Sequence, residues 1–357
     1  DPMKRILIGM SGGVDSSVAA LLLQRSGRKP IGITFDLWAD ATGEASGADA
    51  SNDAKAVCDA LGIPHHVVEC RDAFRERVTD PFCRAYLSGR TPNPCVICNP
   101  RIKFAMLCDL LDRFDASAVA TGHYARIEGP DCAGRIHLLK GRAGAKEQSY
   151  FLFGMTQEQL AVTEFPLGEL NKQRVRDIAA EARLPVHGRP ESQEICFIPD
   201  NDYAVFVERV CGRQTRPGEI RDTSGRLLGR HEGLHRFTLG QRKGLGVAVG
   251  EPRYVVRIEP ETATVVIGPR AETFAREFTV TEVNWVSIPP ARDAMRMDVK
   301  IRYAHPGAPA EVIPDPKAHA VRVRFDEPQS AITPGQAAVF YDNDLLLGGG
   351  MIADVAP

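Results

Sequence analysis

Ile6-Leu7-Ile8-Gly9-Met10-Ser11-Gly12-Gly13-Val14-Asp15-Ser16-Ser17 is the stretch on which the fold turns. Its first half is a short apolar run of the kind a buried parallel strand needs, and Val18-Ala19-Ala20-Leu21-Leu22-Leu23 behind it reads as a helix. Between them lies a turn of glycines and hydroxyls. Gly12 and Gly13 admit positive φ and let a phosphate come close to the backbone. The turn amides, with a helix N-terminus behind them, form an anion site, and Ser11, Ser16 and Ser17 add hydroxyl donors. There is no GxxxxGK[ST], so no loop lysine serves the β- and γ-phosphates. Asp15 repels phosphate unless Mg²⁺ bridges the two, so a carboxylate at this point predicts a metal nucleotide.

The SGGVDS loop resembles the pyrophosphate-binding loop of the N-type ATP pyrophosphatases, which split ATP into AMP and pyrophosphate by adenylating an oxygen. At 357 residues the chain has room for two or three domains. Up to residue 205, strands at 5–10, 29–35, 65–68 and 118–120 alternate with helices such as 53–61 and 102–114. That alternation predicts an α/β unit with a mainly parallel sheet and its ligand at the carboxyl ends of the strands. Residues 39–52 are small and acidic and read as a mobile loop beside the site. Residues 206–272 are short, basic and glycine-punctuated, which predicts a small central domain. From 273 to 357, alternating strands at 278–286, 297–302, 320–325 and 337–341 predict an antiparallel barrel or sandwich.

The formal net charge of −2 hides an asymmetry. Between Arg209 and Arg257 stand eleven Lys/Arg and four Asp/Glu, so the rest of the chain is acidic. A concentrated basic segment is the footprint of phosphate-backbone binding, although a solvated face looks the same in sequence. No apolar run approaches the ~20 residues of a membrane span. Asp1-Pro2 ahead of Met3 reads as a tag-cleavage remnant, and no signal peptide is expected. Nine cysteines, an odd number, predict reduced thiols in a cytoplasmic protein, with any special ones catalytic or metal-binding.

Thr91-Pro92-Asn93-Pro94-Cys95-Val96-Ile97-Cys98-Asn99 presents two thiols in a proline-stiffened loop where Asn93 can hydrogen-bond its own turn. Such a CxxC fits half a zinc site, a redox pair or an iron–sulfur half-site. Cys58, Cys70, Cys83 and Cys108 read as buried small hydrophobes, and Cys132 and Cys211 as loop residues without a partner. Gly122 and His123, in ATGHYA, follow a buried strand, where glycine allows a ligand close to the backbone. Phe237–Gly246 (FTLGQRKGLG) is a basic glycine loop suited to phosphates.

Taken in order, SGGVDSS, TPNPCVICN, ATGHYA, KEQSYFL, SQEICFI, TLGQRKGLG and TPGQAAVFY resemble the tRNA-specific 2-thiouridylase family across nearly the whole chain. The resemblance implies ATP-dependent adenylation of the C2 oxygen of the wobble uridine in tRNA, followed by replacement with sulfur. It also implies a pyrophosphatase-type domain, a central domain and a C-terminal β-barrel, all gripping tRNA. Residues at the family's ATP positions are Gly9, Met10, Ser11, Gly12, Gly13, Val14, Asp15, Ser16, Phe35 and Gly122. Asn93, Pro94 and Cys95 fall where the target base is met. His123, Lys146, Glu147, Gln148, Arg302, Tyr303 and Gln336 fall at tRNA contacts. Cys98 and Cys196 match the catalytic cysteines, Cys196 carrying the persulfide. A sulfur-relay protein, a cysteine desulfurase or sulfide would supply the sulfur.

The chain departs from the family pattern at three places. Cys95 stands where many members have aspartate, Glu147 replaces an aspartate, and Gly188-Arg189-Pro190-Glu191 replaces a lysine-rich segment. The first departure raises a further expectation: Cys95, Cys98 and Cys196 together as ligands of a 4Fe–4S cluster that delivers sulfur, with Asp15 as a Mg²⁺ ligand through ATP. Two rival readings keep part of this picture. One is an adenylating ligase or amidotransferase acting on a small acceptor. The other is a non-catalytic iron–sulfur tRNA-binding protein.

Overall fold

The structure is a computed structural model describing residues 4–38, 48–188, 195–198, 202–211, 215–247, 250–315 and 317–355. Most of the small acidic segment 39–52, Gln193-Glu194 of the SQEICFI motif, and Arg189–Glu191 lie outside the described residues.

The N-terminal sheet is built from β1 (Arg5–Gly9), β2 (Lys29–Asp36), β3 (His65–Glu69) and β4 (Ala116–Ala120). A hairpin of β5 (Ala125–Glu128) and β6 (His137–Lys140) then leaves for another sheet, and β7 (Thr163–Glu164) returns. The order is β3-β2-β1-β4-β7, all pairings parallel. Chain order reverses between β1 and β4, which opens a crevice at their carboxyl ends. Along β1, Ile6 and Ile8 face one core and Leu7 the other. That explains its unbroken apolar sequence, because both faces are covered. Helix α1 (Val14–Arg25) follows β1, and α2 (Ala48–Leu61) follows β2. The second helix therefore takes in residues 48–52, which the sequence reading gave to a loop.

The central unit is a four-stranded sheet of β8 (Gly218–Asp222), β9 (Leu227–His231), β10 (Tyr254–Glu259) and β11 (Thr264–Gly268) around its own small core of Ile220, Phe237, Val255 and Ile267. The last unit holds β12 (Phe274–Trp285), β13 (Met295–Lys300), β14 (Ala308–Asp315), β15 (Ala320–Ser330), β16 (Ala337–Asp342) and β17 (Leu345–Val355). Their order runs β12-β15-β14-β13-β16-β17, and β17 pairs back onto β12. The sheet therefore closes as an antiparallel barrel, which leaves no edge among these six strands.

The hairpin β5–β6 pairs with β17, through Leu345 opposite Leu139 and Leu346 opposite Leu138. The N-terminal unit thus lends two strands to the barrel's sheet, and Leu138, Tyr150, Val339 and Leu346 share one core. Cys58, Cys70 and Cys83 are buried as expected, and burial pushes the Cys58 and Cys70 thiols up to about 11 and about 12. Cys108 is only half-buried. Cys211, read as a loop residue without a partner, ends the helix Tyr203–Cys211 and lies against the Cys83 thiol.

Candidate active site

The phosphate loop sits in the crevice. Gly12 has φ +72°, and a Cβ there would come 2.5 Å from the Ala50 carbonyl oxygen, so only glycine fits this turn. The first intrahelical bond of α1 runs from Ser17 N to Gly13 O at 3.3 Å. The amides of Val14, Asp15 and Ser16 therefore have no helical carbonyl to reach and point out of the helix start. The hydroxyls act differently from the sequence expectation. Ser16 and Ser17 donate to Gly13 O at 3.2 and 2.8 Å and brace the loop, and Ser11 is the exposed one of the three.

Gly122, after β4, also differs in its use. A Cβ there would lie 2.6 Å from Ser16 N and 2.7 Å from the Asp15 carbonyl carbon. The close approach belongs to the loop's own backbone rather than to a ligand. Gly122→Ala should displace the start of α1 and weaken ATP binding at least about tenfold, since backbone in a packed site cannot yield cheaply. Calorimetric titration with ATP, beside a thermal melt showing the barrel intact, checks this.

Asp15 is not left to a metal. Lys172 Nζ lies 2.7 Å from both of its carboxylate oxygens, and the Tyr124 hydroxyl donates to Oδ1 at 2.7 Å. Lys172 opens the helix Lys172–Glu181, whose Val175, Ile178 and Ala179 share a core with Val18 and Leu21 of α1. Tyr124 is held in turn by Gln148, whose side chain accepts from Tyr124 N at 3.1 Å and whose amide donates to Tyr124 O at 2.9 Å. One carboxylate beside a row of open amides still fits a magnesium nucleotide, because Mg²⁺ at such sites takes one or two carboxylates and fills its shell with phosphate and water. The sequence reading missed Lys172; nothing in the local pattern of NKQRVRD ties it to a loop 157 residues away.

The CxxC is a helical turn rather than an open loop. Asn93 Oδ1 accepts from Cys95 N at 3.2 Å, as its turn chemistry predicts, and Cys98 N donates to Pro94 O at 2.8 Å. Cys95–Cys98 forms one helical turn that runs into a widened π-type segment, Asn99–Phe104, so the helix begins ahead of the expected residue 102. Cys196 is brought to the same place because its neighbour Phe197 is buried, edge-on to Phe74 and Phe82. Cys98 is buried, Cys95 half-buried, and Cys196 keeps solvent access.

Lys103 lies among the three thiols. Burial pushes the Cys98 thiol up to about 12 against the pull of Lys103, and raises Cys95 and Cys196 as well. Burial alone would depress the Lys103 ammonium, but the charges of Cys98, Cys196 and Cys95 outweigh it and hold it up. Burial thus works against a thiolate at each of the three cysteines, and Lys103 works for one. Among the described residues no group of three Cys, His, Asp or Glu is placed to hold a metal ion. As placed, the three thiols therefore do not fit the 4Fe–4S cluster expected from the sequence. Lys103 was also missed in the sequence; its position five residues after Cys98, along the π-type segment, was the available signal.

His123 joins the two halves. Its Nδ1 is 2.8 Å from Thr121 Oγ1, and burial, reinforced by Lys103, holds the imidazole down at about 3. It is a neutral ring between the phosphate loop and the thiols.

Two of the expected tRNA contacts, Glu147 and Gln148, have partners within the fold. Glu147 is 7% exposed, and its carboxylate accepts from the Ser149 amide and hydroxyl, so it is a buried anchor beneath the barrel. Gln148 is committed to Tyr124. Tyr303 packs on Phe151 at 4.5 Å and donates to Ala145 O beside Lys146. Arg302 and Gln336 line a cavity of about 530 Å³ together with Thr91, Thr238, Gly240 and Arg270. Thr91 is hung from the other two units here: its amide donates to Pro334 O at 3.0 Å, Gln336 donates to its carbonyl at 2.8 Å, and its hydroxyl meets Thr238 at 3.1 Å. The CxxC segment therefore starts from a three-way junction. Arg242 and Lys243 are exposed at the rim of the central unit, whereas Arg221, Arg236, Arg253 and Arg257 are ion-paired.

A parallel sheet with a lysine-free glycine loop at its switch point, thiols converging beside it, and a β unit and barrel appended, defines a three-domain PP-loop nucleotide-binding protein. The family patterns agree in extent: a tRNA methyl transferase HUP domain over residues 4–200, a tRNA methyl transferase PRC-barrel domain over 205–269 and an aminomethyltransferase β-barrel domain over 275–352. The chain is 47% identical to the tRNA-specific 2-thiouridylase MnmA of Solibacter usitatus, over 98% of this chain and 100% of that protein. It is also 47% identical to that of Geotalea uraniireducens, over 98% and 95%. The chain belongs to the tRNA-specific 2-thiouridylase family. Among solved structures, the U34-tRNA thiolase NcsA of Methanococcus maripaludis aligns at TM-score 0.35 and 17% identity, over 58% of this chain and 67% of that one, too slight a likeness to inform function. No helix among the described residues is long and apolar enough to cross a membrane.

Proposed function

We propose that this protein is an ATP-dependent tRNA sulfurtransferase that exchanges the C2 oxygen of the wobble uridine, position 34, for sulfur. One observation carries the reading: Gly122 packs on the backbone of the phosphate loop, and its neighbour His123 feels the charge of Lys103, which in turn interacts with Cys95, Cys98 and Cys196. ATP lies with its phosphates on the loop amides. The uridine C2 oxygen attacks the α-phosphorus, a new O–P bond forms, and the bond to pyrophosphate breaks. Mg²⁺ bound with ATP would be held at Asp15 and supply charge neutralisation for the departing pyrophosphate.

The adenylated oxygen is now a good leaving group. A persulfide on Cys196, loaded by a persulfide-carrying protein, attacks C2 and AMP departs. The Cys98 thiolate then attacks Cys196 Sγ, which leaves the outer sulfur on the uridine and closes a Cys98–Cys196 disulfide. A thiol reductant reopens it. Burial disfavours the Cys98 thiolate, so this step requires the Cys98 proton to leave as the sulfur attacks.

Incubation with ATP, Mg²⁺, tRNA and a persulfide donor should yield AMP, pyrophosphate and 2-thiouridine by nucleoside mass spectrometry. Production of ADP and phosphate, or ATP cleavage triggered by a small carboxylate without tRNA, would overturn the reading. Arg242→Glu with Lys243→Glu should weaken tRNA binding and lower the slope of log affinity against log salt by about two, one for each lost phosphate contact. ATP affinity should be unchanged, and an unaltered salt slope would return the basic segment to a solvated face.

A further inference from the structure

We propose that Lys172 is the phosphate-binding cation of this site, paired with Asp15 as the structure shows it and passed to the pyrophosphate half of ATP when the nucleotide binds. The inference rests on the ATP reading above and adds to it the residue that neutralises the β- and γ-phosphates. The need for such a residue is visible in the sequence. The loop Ser11–Ser16 contains no lysine, so its amides alone would face the several negative charges of the triphosphate.

The placement meets the need. Lys172 Nζ stands 2.7 Å from both oxygens of Asp15, and Asp15 is in the first turn of α1 among the open amides. The lysine reaches the loop from a fixed base. Asn171 caps its helix, accepting from Arg174 N at 2.8 Å, and that helix is packed on α1. The base is rigid while the four-carbon stem is not, so Nζ can move by a few ångströms without disturbing the fold.

Asp15 can release the ammonium because it has a second donor. The Tyr124 hydroxyl lies 2.7 Å from Oδ1, and Tyr124 is itself held by Gln148. The pair is also only partly enclosed, with side-chain exposures of 17% for Lys172 and 29% for Asp15, so an incoming anion can reach Nζ. An ion pair made only to brace the fold would have no reason to sit at the mouth of an anion site.

Calorimetry on the full chain tests this with three probes in Mg²⁺ buffer: inorganic pyrophosphate, ATP and AMP. Lys172→Met should weaken pyrophosphate and ATP by at least about tenfold, the worth of one charge-assisted hydrogen bond. AMP should stay within about twofold, because it lacks the pyrophosphate half, and Lys172→Arg should recover most of the loss. Asp15→Asn guards against a folding defect in the methionine variant. It frees Lys172 without removing it, so pyrophosphate binding measured without Mg²⁺ should hold or tighten, whereas a purely structural pair predicts loss. Equal pyrophosphate affinity in wild type and Lys172→Met would overturn the assignment alone. A wild type that binds neither ATP nor pyrophosphate would overturn the ATP reading with it.

Discussion

Serine at Cys98 or at Cys196 should abolish 2-thiouridine formation, a fall of about three orders of magnitude or more, as expected when a covalent catalyst is removed. The tRNA-dependent release of AMP should fall far less, since adenylation uses the loop and not the thiols. Nucleoside mass spectrometry read beside AMP release separates the two steps. Cys95→Ala is the informative companion. It should retain substantial thiolation in air, because the disulfide-forming route needs only Cys98 and Cys196. A Cys95→Ala protein as inactive as the other two, together with iron in anaerobically purified wild type, would restore the cluster expectation and overturn the persulfide route. The pH dependence follows from burial. With the Cys98 thiol held up at about 12, its alkylation by iodoacetamide should be slow at pH 7 and keep rising beyond the usual thiol range near 8.5. A plateau below pH 9 would show that Lys103 wins over burial.

Asp15→Ala should lower tRNA-dependent AMP formation by about two to three orders of magnitude, the scale of losing a preorganised electrostatic group at the reacting centre. Its cost in stability should be small, about 1 kcal/mol, because the pair with Lys172 is partly solvated rather than sealed in the core. The double variant Asp15→Ala with Lys172→Met removes the lone ammonium that the single change leaves behind. It should recover the melting temperature without recovering activity. If Asp15→Ala formed AMP at the wild-type rate, the carboxylate would have no part in handling the nucleotide.

Much of this site is legible in the chain because it depends on local chemistry. The apolar run of β1, the glycine at φ +72° and the helix start at Val14 are fixed by residues that touch their sequence neighbours. The same holds for Asn93, which caps its own turn two residues on. The basic charge of the central unit was also countable, but not which cations stay unpaired. Arg221, Arg253 and Arg257 are each answered by a glutamate two residues away, whereas Arg242 and Lys243 remain exposed.

Residues close together in the chain are enough to specify the strand–glycine loop–helix at its start, the alternation that makes a parallel sheet, and the paired thiols of Cys95 and Cys98. How each polar group is used follows from long-range packing. Asp15 is answered by Lys172 from 157 residues away, and Glu147 turns inward under the barrel. The β5–β6 hairpin joins β17 instead of its own sheet, and Phe197 buries itself to carry Cys196 beside Cys98. The physical reason is that backbone conformation follows from steric and hydrogen-bonding preferences within a few residues. The partner of a charge, or the burial of a thiol, instead depends on which distant apolar surfaces pack together, and periodicity encodes only that such a surface exists.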